Sequence, residues 1–123
     1  MLTLADVLGP DGLLARGLPG WEARPQQLEM AEQVEAALHE RRPLLVEAGT
    51  GTGKTLAYLV PAVLSGLKVV VSTGTRNLQE QIVKKDVPLL AAHLPVDFTV
   101  TQLKGLSNYL CRRRYRDFVA MQQ

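Results

Sequence analysis

Apolar residues at Leu28, Ala31, Val34 and Leu38 recur every three or four positions, the spacing of one helix face, and predict a helix over residues 24–41. Leu56, Leu59, Val60, Val63 and Leu64 repeat the pattern and predict a second helix. Pro61 lacks an N–H and is expected to bend it, and Ser65-Gly66 to end it. Between the two lies Leu44-Leu45-Val46, a short apolar run read as a buried strand. Val69-Val70-Val71 is continuous and β-branched, as in a strand covered on both faces. Val96, Phe98 and Val100 alternate with Asp97, Thr99 and Thr101, which predicts a third strand. Thr75 or Asn77 caps a helix expected to run to about Asp86, where Val87-Pro88 stops it. Short helices are expected at residues 4–8 and 89–93. A last one starts near Asn108, with Cys111, Tyr115, Phe118 and Val119 on one face. Strands that alternate with helices imply an α/β fold, with strands near 44–48, 68–73 and 97–102 in one parallel sheet.

With 123 residues the chain fits one small domain, and 46% hydrophobic residues is ordinary for a globular one. The net charge of +2 is unevenly spread. Residues 104–117 hold five basic side chains (Lys104, Arg112, Arg113, Arg114 and Arg116) against Asp117, a net +4, which leaves −2 for the rest. Such an end suits a polyanion, or is the solvated face of a helix. One cysteine excludes an intramolecular disulfide and fits a reducing compartment, so the expected location is cytoplasmic. The first residues, MLTLADVLG, lack the basic start of a secretory signal. The longest apolar stretch, residues 56–64, is too short to span a bilayer, so no membrane partner is expected.

Residues 46–55, VEAGTGTGKT, carry the chemistry. An apolar run, a Gly-Thr turn and Gly53-Lys54-Thr55 before a helical period describe a phosphate-binding loop. Backbone N–H groups from Ala48, Gly49, Thr50, Gly51, Thr52 and Gly53 are placed to wrap a triphosphate at a helix N-terminus. Lys54 reaches the β- and γ-phosphates, and the Thr55 hydroxyl ligates Mg²⁺. Ala48 stands where the general pattern has its first glycine. ATP and Mg²⁺ are therefore the expected cofactors. No Asp-Glu pair follows an apolar strand, so the chain reads as a partial domain cut before the strand that holds Mg²⁺ through an acid.

Four ordered segments resemble the iron–sulfur DNA helicases of superfamily 2, the XPD/DinG type. They are Arg24-Pro25-Gln26-Gln27-Leu28-Glu29-Met30, the loop itself, Ser72-Thr73-Gly74-Thr75 with Leu78-Gln79-Glu80-Gln81, and Lys104-Gly105-Leu106-Ser107-Asn108-Tyr109-Leu110-Cys111. Leu106 stands where that family often has an arginine. The resemblance implies a partial RecA-like P-loop NTPase domain, a parallel sheet with flanking helices, truncated before the Walker B strand. It divides the chain into a lead-in (1–23), the first part of the ATP-binding domain (24–103) and the start of an iron–sulfur domain (104–123).

The same resemblance assigns roles. Gln27, with Arg24 nearby, reads the adenine edge. Trp21 stacks on the base or simply packs. Thr73, Thr75 and Gln79 contact single-stranded DNA, or form a strand end and helix cap. Cys111 ligates a four-iron, four-sulfur cluster (4Fe–4S), or is a buried helix-face cysteine. That cluster needs four thiolates and is not expected in this chain alone. The implied function is the N-terminal part of an ATP-dependent DNA helicase of DNA repair or replication. A non-catalytic nucleotide- or single-strand-binding module and a P-loop small-molecule kinase remain alternatives.

Overall fold

The computed structural model describes residues 1–49 and 51–122. Thr50, assigned above to the phosphate loop, lies outside the described residues. Two short helices open the chain: α1 (Leu4–Leu8) and α2 (Leu13–Gly17). Thr3 starts α1 with a reciprocal cap, its hydroxyl accepting from the Asp6 N–H while the Asp6 carboxylate accepts from the Thr3 N–H. Sequence reading anticipates α1 but not α2, which is folded from a Gly- and Pro-rich stretch. Leu4, Val7, Leu8 and Leu14 are all buried, so this lead-in supplies core rather than a loose arm.

The long helices follow as expected. α3 spans Pro25–Glu40 and α4 spans Lys54–Ser65, and the packing between them is the most extensive in the chain. Ala31, Ala57, Leu59 and Val60 are buried in the core they share with α1 and α2. Pro61 lies inside α4, which continues through it to Ser65. Its ring is fully buried among apolar neighbours, and packing of that face offsets the missing N–H.

Beyond residue 75 the helical path is longer than the sequence suggests. α5 (Arg76–Gln81) passes into a π-helical turn, Ile82–Asp86, and then α6 (Val87–His93). The expected stop at Val87-Pro88 does not occur. The wide turn lets the Val87 N–H bond to the Ile82 carbonyl, and Pro88 falls in the first turn of α6, where no N–H is required. Thr75 is the cap, accepting from the Leu78 N–H at 3.2 Å. The final helix, α7 (Arg112–Met121), follows a 3₁₀ turn at Leu106–Asn108, so it begins four residues later than anticipated. Cys111 is its N-cap and is exposed, not buried on a helix face.

The parallel sheet is not formed among the described residues. Residues 42–49, 67–73 and 95–105 run without helix or ladder, and no β-strand occurs among the described residues. Leu45 is 99% exposed and Val70 89% exposed, where strands covered on both faces were expected. Patterning reports which face a segment has to bury. It does not report a partner strand at ladder distance, and a lone extended segment leaves its N–H and C=O groups to water. The described fold is therefore a helical layer with three unpaired apolar segments.

Candidate functional site

Gly53 joins the loop to α4 and acts as the helix N-cap, with φ 77° and ψ 42°, a left-handed conformation that suits glycine. Gly51 is also left-handed, at φ 81°. The Thr52 hydroxyl donates to the Gly49 carbonyl at 2.8 Å and closes the turn. Lys54 is the first residue of α4 and is exposed, while Thr55 and Ala48 are half-buried. The loop thus delivers a free ammonium, a hydroxyl and the N-terminal amides of a twelve-residue helix to one place. That is the donor set an oxyanion tail needs.

α3 braces this loop from behind. Arg24 precedes Pro25, so it is extended, and its guanidinium donates to the Gly51 carbonyl. Gln27, one turn into α3 and 3% exposed, donates from Nε2 to the Gly53 carbonyl at 3.1 Å. The same carbonyl accepts the Ala57 N–H at 3.2 Å, which uses both of its lone pairs. A Cβ on Gly53 would run into the Gln27 amide nitrogen, so Gly53 is required by the contact as well as by its φ. Arg24 and Gln27, read from the sequence as base contacts, are here also the clamps of the loop.

Beside the clamp is a cavity of about 210 Å³ lined by Gly20, Trp21, Glu22, Arg24, Gln27, Gly53 and Leu56. Two buried polar atoms near it lack partners, Trp21 Nε1 and Gln27 Oε1. Leaving a buried group unpaired costs roughly 1–3 kcal/mol. Glu22 and Leu56 escaped the sequence reading of the site. Their signal was position: one precedes the α3 element and the other follows Lys54-Thr55.

The threonines and Gln79 sit elsewhere, around α5. The Thr73 hydroxyl donates to the Thr75 carbonyl at 3.2 Å, and the Thr75 hydroxyl is spent on the cap. Gln79 donates from Nε2 to the Leu103 carbonyl at 3.0 Å and accepts from Gln102 Nε2 at 3.2 Å. Arg76 donates to Asn108 Oδ1 at 3.1 Å, and Lys104 bonds to Glu80 at 3.3 Å. Lys84 reaches Glu80 from the other side, and hydrogen bonds from Lys84 and Lys104 hold the Glu80 carboxyl below the usual range. Asp86 is the opposite case. Burial in the π turn raises its pKa, against the lowering by a 3.4 Å bond from Gln81 and by the Lys85 charge.

Among the described residues no three His, Cys, Asp or Glu side chains converge on a metal site. Cys111 is the sole cysteine of the 123 residues, whereas a 4Fe–4S cluster takes four thiolates, so this chain's own ligands do not fit one. No helix of the described residues is long and apolar enough to cross a membrane.

A loop capped by left-handed glycines and clamped by Arg24 and Gln27 has the form of a P-loop. The DEAD/DEAH box helicase family matches residues 24–115, and the chain belongs to it, in the XPD/DinG branch. It is 47% identical over 111 residues to the ATP-dependent DNA helicase YoaA of Escherichia coli, a match covering 90% of this chain and 18% of that protein. It is 39% identical over 111 residues to the 3'-5' exonuclease DinG of Bacillus subtilis, covering 87% of this chain and 12% of that one. The ATP-dependent helicase DinG of Mycobacterium tuberculosis (strain H37Rv) is 46% identical over 110 residues, 83% of this chain and 16% of its own. The chain thus spans less than a fifth of the length of these relatives. No solved structure matches the chain. The family implies a RecA-like domain, although the parallel sheet of that fold is not formed among the described residues.

Proposed function

We propose that this chain is the nucleotide-binding portion of an ATP-dependent DNA helicase that serves DNA repair or replication in the bacterial cytoplasm, at the nucleoid. The observation that carries the reading is the bond from Gln27 to the Gly53 carbonyl. It ties the base-side helix to the phosphate loop beside a cavity large enough for a purine ring. Ala48 to Gly53 form the phosphate cradle, Lys54 neutralises the β- and γ-phosphate oxygens, and the Thr55 hydroxyl offers a hard oxygen ligand to Mg²⁺. When bound, Mg²⁺ supplies charge neutralisation between the β- and γ-phosphates. Arg24 and Gln27 border the base. Residues 24–103 form the ATP-binding part, and residues 104–123 lead toward an iron–sulfur domain in which Cys111 is the first ligand.

Single-stranded DNA is the proposed polymer. Thr73, Thr75 and Gln79 lie on and before α5, and Arg112, Arg113, Arg114 and Arg116 are exposed on α7. These arginines supply sequence-independent attraction to phosphates. The test of the nucleotide reading is a titration of the chain and its Lys54→Ala variant with a fluorescent ATP analogue. Lys54→Ala is expected to weaken binding at least tenfold, because a charge-assisted contact contributes about 1.5–3 kcal/mol. Equal affinities refute the reading.

A further inference from the structure

α5 buries no residue, and it meets residues 102–108 through polar side chains. Arg76, Gln79 and Glu80 are spaced three and four apart and so share one face of the helix. Residues 102–108 occupy that face. Arg76 Nη1 donates to Asn108 Oδ1 at 3.1 Å, and Gln79 Nε2 donates to the Leu103 carbonyl at 3.0 Å. Gln102 Nε2 donates to Gln79 Oε1 at 3.2 Å, and Lys104 Nζ to Glu80 Oε1 at 3.3 Å. The segment thus offers neutral oxygens to a guanidinium and an amide N–H, the donors that phosphodiester oxygens take. It offers an ammonium to Glu80, the carboxylate that would repel a phosphate there.

We propose that residues 102–108 are an autoinhibitory strap over α5, and that single-stranded DNA takes their place on Arg76 and Gln79. The proposal rests on the reading of Gln79 as a DNA contact and adds Arg76, one turn before it. Exchange is favoured at Arg76, because a guanidinium bonded to a phosphate is ionised on both sides, whereas the Asn108 amide is neutral. Glu80 does not block the exchange once Lys104 leaves. Lys84 still holds its other carboxylate oxygen at 3.1 Å. The strap is closed on itself by the Lys104 N–H, which donates to the Tyr109 hydroxyl at 2.7 Å, so it can leave α5 as one piece.

The test measures binding of labelled oligo(dT) by fluorescence anisotropy at two salt concentrations. The proteins are the whole chain, Gln102→Ala, Asn108→Ala, Gln79→Ala and the double variant Gln79→Ala with Gln102→Ala. None of these substitutions changes the net charge. Gln102→Ala should tighten binding roughly threefold to tenfold, the range of one hydrogen bond, with the salt slope kept. Asn108→Ala releases a cation, so it should tighten binding and steepen the slope by about 0.7, for one more phosphate neutralised. Gln79→Ala should leave the parent affinity within about twofold, yet cancel the gain in the Gln102→Ala background. A permanent strut makes the opposite forecast: loosening α5 weakens binding or leaves it unchanged in both release variants, and that result overturns the proposal. Asn108 Nδ2 also donates to the Gly105 carbonyl at 3.3 Å. If Asn108→Ala unravels that turn, Gln102→Ala with and without Gln79→Ala decides alone. Parent and release variants that all fail to bind oligo(dT) at low salt refute the DNA reading itself. Binding that is indifferent to both releases refutes only the strap.

Discussion

Gly53→Ala tests whether the loop and α3 form one clamped unit. The backbone there is left-handed at φ 77°, and a side chain in that region costs about 1–2 kcal/mol. The added Cβ also runs into the Gln27 amide nitrogen. Gln27 is 3% exposed, so it cannot swing into water, and its bond to the Gly53 carbonyl is lost. Losing that bond adds about 0.5–1.5 kcal/mol, and residual crowding adds to it. Gly53→Ala should therefore destabilise the chain by about 2–4 kcal/mol. In a Gln27→Ala background the clash and the bond are already gone, and only the backbone cost of about 1–2 kcal/mol should remain. The measurement is urea unfolding of the four proteins of this cycle, followed by circular dichroism. A coupling of about 1–2 kcal/mol between the two sites is expected. Two costs that simply add, within about 0.5 kcal/mol, would show that Gln27 and Gly53 do not act on each other and would refute the clamp.

Asp86 has a raised pKa, so the folded chain binds its proton more readily than the unfolded chain does. Stability from this group falls as pH rises from its ordinary value of 3.8 through the folded value, and Asp86→Asn should be more stable than the parent at neutral pH, with the advantage vanishing in acid. Urea midpoints from pH 4 to 7 check this, and a variant less stable at pH 7 refutes it. Thr75→Ala removes the cap of α5 and should cost about 0.5–2 kcal/mol locally. Because α5 buries no residue, the loss should appear as faster amide exchange over Arg76–Gln81 with little change in the melting temperature. Arg113→Glu with Arg116→Glu should weaken binding to oligo(dT). The slope of log affinity on log salt should fall by about 0.7 for each phosphate no longer neutralised, read by fluorescence anisotropy. An unchanged slope would make α7 a solvated face only.

The phosphate loop and its two flanking helices were legible because their signals are local. Glycine in the loop and a 3.6-residue apolar period each act within a few residues, and α3 and α4 form where those signals lie. Thr75 was one of two caps offered, with Asn77, and is the one the structure uses. The sheet was not legible, because a ladder depends on which segment lies alongside, and the period of Val96 to Val100 is silent about that. The π turn was hidden since nothing in Ile82–Asp86 departs from a good helix. Only the need to carry the chain into Pro88 without a break accounts for it. The lead-in was misleading in the other direction. It is rich in Gly and Pro and offered only one short helix, yet Leu14 between Gly12 and Gly17 is fully buried. Composition weighs residues equally, whereas a single leucine in the core outweighs several flanking glycines.

The residues around α5 show why a side chain's chemistry does not by itself settle its role. Gln79 has one donor end and one acceptor end, and both are occupied by residues 102 and 103. Arg76 holds Asn108, and Glu80 holds Lys104. Each exposed pair contributes little alone, but they lie close together on one short helix and grip one segment. The Tyr109 hydroxyl then accepts from the Lys104 N–H at 2.7 Å, which closes that segment on itself just before Cys111. α5 is thus attached to the approach to Cys111. On this geometry the Gln79 amide holds α5 in register with that segment.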